Sequence, residues 1–211
     1  MKRKLAILGI AGISLMGSLS VQAQKTEKLF NGKDLSNWEF LVDKNSVPAE
    51  QVYSVKDGMI QIAGQPFGYM YTKQKYSNYK LHVEWRWPDG KEANSGIFLL
   101  IEDLKNPFPN GVECQLHAGD AGDFVLLGGS DLAEFQNKPG QPRPAFPVVQ
   151  KHTKSSENKA GEWNEANIFV KDGVITVYIN GVYQNTGTNK VKEGHIGLQS
   201  EGGPSPSSVY K

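Results

Sequence analysis

Polar and apolar residues alternate along much of the chain. The clearest stretch is residues 80–87, where Leu81, Val83, Trp85 and Trp87 take one face and His82, Glu84 and Arg86 the other. Side chains of an extended strand point alternately to opposite faces, so this is the pattern of a strand with one buried side. Short runs of the same kind recur between turn formers. Residues 53–55 and 59–62 flank Lys56-Asp57-Gly58, and residues 168–170 and 174–179 flank Lys171-Asp172-Gly173. Asn180-Gly181, the favoured pair for a type I′ hairpin turn, leads directly into Val182-Tyr183. Residues 96–101 are almost continuously apolar, as in a strand covered on both faces. Segments 112–116, 124–127, 148–151, 162–170 and 195–199 complete the set. No window holds a helical period over twelve residues. About a dozen short strands joined by tight turns predict an all-β fold, a two-sheet antiparallel sandwich of jelly-roll type.

Composition narrows the picture further. The 211 residues suit one domain with a sizeable core. Lys and Arg number 23 against 22 Asp and Glu, so the chain lacks the basic excess of a nucleic-acid binder. Lys2, Arg3 and Lys4 precede an apolar stretch over residues 5–19, and Val21-Gln22-Ala23 follows with the small residues that a signal peptidase reads. Residues 1–23 therefore read as a cleavable secretory signal, too short for a stable membrane anchor. The exported chain, periplasmic or secreted, would begin at Gln24 with a slight acidic excess. Its single cysteine, Cys114, allows no internal disulfide. Residues 24–203 read as one domain. Residues 204–211, rich in Pro and Ser, read as a disordered tail. Pro139, Pro142, Pro144 and Pro147 exclude a central strand between them and predict an ordered surface loop.

Two polar stripes carry the candidate chemistry. In Glu113-Cys114-Gln115-Leu116-His117, alternation sends Glu113, Gln115 and His117 one way and Cys114 and Leu116 into the core. His82, Glu84 and Arg86 form the second stripe. If both lay on one sheet face, they would bring together a base, an amide and a cation, enough to orient and deprotonate a sugar. The same residues read equally well as a solvated sheet face with incidental ion pairs. His82, His117, Glu84 and Glu113 are also candidate ligands for a divalent metal ion, although no established ligand spacing links them. Gly119-Asp120-Ala121-Gly122-Asp123 reads as an ordinary Asp/Gly turn. Trp38, Tyr69, Tyr71 and Trp163 are candidates to stack on sugar rings, against the commoner role of aromatics in a core.

A succession of segments resembles a known family. Leu29-Phe30-Asn31-Gly32-Lys33-Asp34-Leu35-Ser36-Asn37-Trp38 is followed by Asn94-Ser95-Gly96-Ile97-Phe98 and then Glu113-x-Gln115. Gly161-Glu162-Trp163-Asn164, Asn180-Gly181 and Gly194-His195-Ile196-Gly197-Leu198-Gln199 come next, in order. Together they resemble the 3-keto-disaccharide hydrolase domain family, a concanavalin-like jelly roll of exported bacterial proteins. The resemblance implies action on sugars already oxidised at C3, with Arg86, Asn94, Glu113 and Gln115 as motif positions. The implied chemistry is proton abstraction from C2, loss of the C1 leaving group and hydration. Strand geometry adds His117 and Glu84 to these positions; His117 or Glu113 would then be the base, with Glu84 beside them. Arg86 or a metal ion would stabilise the enolate, and Asn94, Gln115, His82 and Trp163 would hold the sugar. Such a substrate implies a separate sugar oxidoreductase upstream.

Members of that family normally finish with one more strand, which contains Phe-Arg-Asn. Here the chain ends Gly202-Gly203-Pro204-Ser205-Pro206-Ser207-Ser208-Val209-Tyr210-Lys211, so the final strand is expected to be missing or altered, as in a truncation or frameshift. Two other readings stand beside the keto-sugar enzyme. One is a non-catalytic carbohydrate-binding module, since the fold hosts both. The other is a conventional glycosidase using Glu84 and Glu113, which lacks its simplest form because no second carboxylate accompanies Glu113 on its strand.

Overall fold

The structure is a computed structural model and describes residues 25–105, 107–202 and 208–211. The signal assigned to residues 1–23 lies outside them, as do residues 204–207 of the tail. Among the described residues, fourteen strands fold into two seven-stranded sheets. The first sheet runs β1 (Trp38–Val42), β4 (Gly68–Thr72), β13 (His195–Ser200), β6 (Gly96–Asp103), β7 (Asn110–Gln115), β8 (Phe124–Leu127) and β9 (Val148–Val149). The second runs β12 (Val182–Thr188), β11 (Val174–Ile179), β10 (Asn164–Lys171), β5 (Tyr79–Arg86), β14 (Ser208–Tyr210), β3 (Met59–Ile62) and β2 (Tyr53–Lys56). All the pairings are antiparallel. The all-β sandwich predicted from alternation is the fold observed.

The three hairpins read from the sequence form where the turn residues put them. Asp57 and Gly58, Asp172 and Gly173, and Asn180 and Gly181 all have positive φ. That backbone matches the twist of the flanking strands and favours Gly and Asn. Gly173 is also held by space, because a Cβ there would lie 2.3 Å from the Asn189 carbonyl oxygen.

The main core lies between the sheets. Trp85, Leu81 and Val83 of β5 meet Ile97 and Leu99 of β6, Val112 and Cys114 of β7, and Ile168 of β10. Each such side chain, once fully buried, contributes about 1.5–3 kcal/mol. A second cluster covers the outer face of the first sheet and contains Tyr69, Tyr71, Phe98, Ile101, Val125 and Leu127. This explains why residues 96–101 of β6 are all buried: the strand is covered on both faces. The prolines at 139–147 do form a loop outside the strands, which ends where β9 pairs with β8 at the sheet edge.

The C-terminus departs from the expectation of a missing strand. Ser208–Tyr210 is strand β14, inserted between β3 and β5. Ser208, Val209 and Tyr210 are all buried, and the Tyr210 hydroxyl lies 2.6 Å from the Ser95 hydroxyl. Residues 208–210 are therefore part of the second sheet and not a disordered tail. Burying an aromatic ring between two strands that need partners outweighs the weak strand preference of the preceding Pro and Ser.

Candidate active site

The two polar stripes lie on different sheets. Leu81, Val83 and Trp85 point into the inter-sheet core, so alternation turns His82, Glu84 and Arg86 to the outer face of the second sheet. Cys114 and Leu116 point into the same core from the other side, which turns Glu113 and Gln115 to the outer face of the first sheet. The stripes thus face away from each other across the sandwich. The expectation that they meet is corrected, and with it the placement of Arg86, Glu84, His82 and Trp163 beside Glu113.

These four residues form a cluster of their own. The guanidinium of Arg86 sits 4.9 Å from the Trp163 ring centre, and the Lys211 amine sits 4.4 Å from it. Lys211 also pairs with Glu84 at 2.8 Å, and Glu84 lies 3.6 Å from His82. The neighbouring Lys211 amine holds the Glu84 carboxyl below its usual range. Trp163 is therefore occupied by two cations of its own chain.

On the first sheet, three adjacent strands converge at one end. Chain entry into β6 brings Asn94, Ser95 and Gly96; the end of β7 brings Glu113 and Gln115; the end of β13 brings Gln199, with Glu201 just beyond. The Ser95 hydroxyl donates to the Gln199 carbonyl at 2.7 Å and ties two of these ends together. Glu113 is only 2% exposed. It lies over Gly96, where an added Cβ would come 2.3 Å from Glu113 Oε1 and 2.7 Å from its Cγ. The absent side chain at Gly96 is what gives the carboxyl its place.

Glu113 Oε1, Asn94 Oδ1 and Gln199 Oε1 are all buried without a protein partner. Leaving buried oxygens unpaired costs about 1–3 kcal/mol each, so three together mark a place built for an incoming donor. The nitrogens of the two amides are already engaged. Gln199 Nε2 donates to Glu201 Oε2 at 2.6 Å, and the Asn94 side chain also bonds Glu201. Burial, with the nearby Glu201 charge adding to it, pushes the Glu113 carboxyl well above the usual carboxylate range. Burial raises Glu201 as well, against the opposing pull of Gln199 and of the His117 ring. Both shifts favour the protonated form of these carboxyls.

Gln115 Oε1 accepts from the backbone N–H of Leu116 and of His117, both at 2.9 Å. Its Nε2 hydrogens remain available to a ligand oxygen. His117 follows the strand and is exposed, with Nδ1 2.9 Å from Asp120 Oδ2. Of the eight residues predicted from sequence, the structure brings Glu113, Gln115, His117 and Asn94 to one site. It adds Gln199, Glu201 and Asp120. Gln199 stood in the family-like segment Gly194 to Gln199, but only the pairing of β13 with β6 brings it beside Asn94. Trp38 is core, and Tyr69 and Tyr71 belong to the packed outer cluster. Among the described residues, no three His, Cys, Asp or Glu side chains gather as a metal-binding group. The four candidate ligands are divided between the two faces.

Placing Ala at Gly96 should displace the Glu113 carboxyl while β6 keeps its pairing. A misplacement of about 1 Å can cost on the order of 100-fold in rate. Gly96→Ala is expected to lower turnover by that order with little change in the circular dichroism spectrum. Wild-type turnover in a folded Gly96→Ala protein would contradict the placement.

An all-β sandwich with an acidic, amide-lined patch on one sheet places the chain among the concanavalin-like jelly rolls. Residues 25–210 match the 3-keto-alpha-glucoside-1,2-lyase-like domain family, and the chain belongs to it. The chain is 25% identical over 173 residues to the 3-keto-disaccharide hydrolase of Bacteroides thetaiotaomicron, covering 74% of this chain and 56% of that protein. It thus spans little more than half the length of that relative. A solved structure assigned to a glycosyl hydrolase from Parabacteroides distasonis superposes with a TM-score of 0.57 at 24% identity, covering 86% of this chain and 88% of that one. A β-glucanase from Bacillus licheniformis superposes with a TM-score of 0.51 at 12% identity, covering 86% and 91%. These structures share the fold.

Proposed function

We propose that the protein cleaves glycosidic bonds of 3-keto sugars, by removal of the C2 proton, elimination at C1 and hydration. The observation that carries this reading is the buried Glu113 carboxyl, whose protonated form is favoured by burial, at the strand ends that also hold the buried, unpaired oxygens of Asn94 and Gln199. A ketone at C3 acidifies the C2 hydrogen, so a side-chain base suffices to remove it. The electrons pass through the enolate and expel the C1 oxygen, which needs a proton as it leaves.

The residues suit these steps. His117 takes the C2 proton, and Glu113 gives its proton to the leaving oxygen. Gln115 Nε2 donates to the developing enolate oxygen, and Asn94 and Gln199 accept from sugar hydroxyls. Arg86, on the opposite face, has no part in this scheme. Family membership and the Bacteroides relative support the substrate class. Export through the N-terminal signal and supply of the keto-sugar by a separate sugar oxidoreductase belong to the same proposal.

The test is a pair of substrates, a 3-keto disaccharide and its unoxidised parent, followed by chromatography of the products. Cleavage of the keto-sugar alone supports the reading. Cleavage of the parent at a similar rate would replace it with a conventional glycosidase.

A further inference from the structure

The Asp/Gly turn after β7 is more tightly held than a simple connection requires. Gly119 and Gly122 take positive φ. Asp120 N–H donates to the His117 carbonyl at 2.8 Å, and Asp123 N–H donates to the Asp120 carbonyl at 3.0 Å. Glu157 reaches in from another loop, and its Oε2 accepts from the N–H of Gly119 at 2.9 Å and of Ala121 at 3.3 Å. Ala121 is buried in the core, and a Cβ on Gly122 would come 2.6 Å from Gln184 Cβ. Lys151 binds the turn from β9's end, with Nζ 3.4 Å from Asp123 Oδ1 and 3.6 Å from Asp120 Oδ1. The buried Asp123 also accepts from Lys151 N–H at 2.8 Å.

All of this fixes the position of one exposed carboxylate. Asp120 Oδ2 lies 2.9 Å from His117 Nδ1. The other end of the same histidine is held too, because its backbone N–H donates to Gln115 Oε1. We infer that Asp120 is a positioning residue for the proposed reaction: it holds His117 in the tautomer with the hydrogen on Nδ1, so that Nε2 accepts the C2 proton. A carboxylate oxygen can only accept, which puts the hydrogen on Nδ1 and the lone pair on Nε2. The charged groups around the ring are Asp120, Lys151 behind it, and Glu201, whose carboxyl feels the imidazole.

The inference rests on the keto-sugar reading. The C2–H electron pair forms the C1=C2 bond by way of the enolate, the C1–O bond breaks, and Glu113 protonates the leaving oxygen. Water then adds its hydroxyl at C1 and returns a proton to the Glu113 carboxylate. The exposed His117 ring exchanges that proton with water and then protonates C2. Asp120 exchanges no proton.

Two variants in the full chain test this, Asp120→Ala and Asp120→Asn. For Asp120→Ala, kcat on the 3-keto disaccharide is expected to fall about 100-fold with KM little changed, because orientation of the base is lost and not sugar binding. Asp120→Asn keeps an acceptor oxygen in reach and should recover part of that loss. In parallel, nitrogen-15 spectra of histidine-labelled protein, at a pH where the rings are neutral, report the tautomer. The His117 resonances, identified by their loss in His117→Gln, should show Nδ1–H in the wild type and a shift toward Nε2–H in Asp120→Ala. Unchanged kcat in Asp120→Ala, or an Nε2–H ring in the wild type, would overturn the inference. A wild type that cleaves no keto-sugar would overturn the functional reading instead, and the spectra would still decide whether Asp120 holds the ring.

Discussion

Glu113→Gln is expected to lose keto-sugar turnover by roughly 100- to 10,000-fold while remaining at least as stable as the wild type at neutral pH. The two halves of this result come from the same burial. Glutamine fills the same space over Gly96 and keeps an oxygen where Glu113 Oε1 stands unpaired. It cannot supply the proton that the leaving oxygen needs. The stability half follows from the raised Glu113 pKa. A carboxyl whose folded pKa lies above its unfolded value binds the proton more tightly in the folded state. Its contribution is fully present below the unfolded pKa, about 4.3, and is lost as pH rises through the folded value. Wild-type stability should therefore fall with rising pH across that window. Glu113→Gln should flatten the fall, and Glu201, also raised, should keep a remnant of it. Denaturant unfolding at several pH values checks the slope. An unfolded Glu113→Gln protein would point to a structural carboxylate in place of a catalytic one.

Tyr210→Ala should destabilise the protein by about 3–5 kcal/mol, the usual cost of truncating a buried aromatic ring. For a chain of this size that lowers Tm by roughly 6–20 °C. Tyr210 is 1% exposed, lies opposite both Ile60 and Trp85, and bonds Ser95 through its hydroxyl. Ser95 in turn holds the Gln199 carbonyl, so the loss should also loosen the end of β13 beside the site. Tyr210→Phe, which keeps the ring, should cost only about 1 kcal/mol. Thermal melts of the two variants separate ring from hydroxyl. A Tyr210→Ala protein as stable as the wild type would mean that β14 contributes little to the second sheet.

Much of the fold is legible because alternation and turn chemistry are local. Asp57-Gly58, Asp172-Gly173 and Asn180-Gly181 announce their hairpins, and β5 and β7 announce which side chains face outward. Strands β1 and β4 escape the same reading. All five residues of β4 are buried, with Met70 in the inter-sheet core and Tyr69 and Tyr71 in the outer cluster, so no alternation shows. Strand β14 escapes because its three residues follow a Pro- and Ser-rich stretch, and only long-range pairing makes them a strand.

The site divides in the same way. Alternation identifies Glu113, Gln115 and His117 as companions, since they share one short segment. It says which face a residue takes but not which sheet, and this is why Arg86 and Glu84 were expected beside Glu113. Gln199 and Glu201 reach the site through the pairing of β13 with β6, nearly a hundred residues apart in the chain, which no local pattern records. Asp120 sat in a segment that looked like an ordinary turn, and its contact with His117 depends on how that turn folds back.

The most direct test of the keto-sugar reaction is to incubate the protein with a 3-keto disaccharide in heavy water and follow the products by NMR, against an enzyme-free control. Enzyme-dependent cleavage, with deuterium appearing at C2 of the released keto-sugar, is the predicted result. Cleavage that leaves hydrogen at C2, or no cleavage by the folded protein, would contradict it.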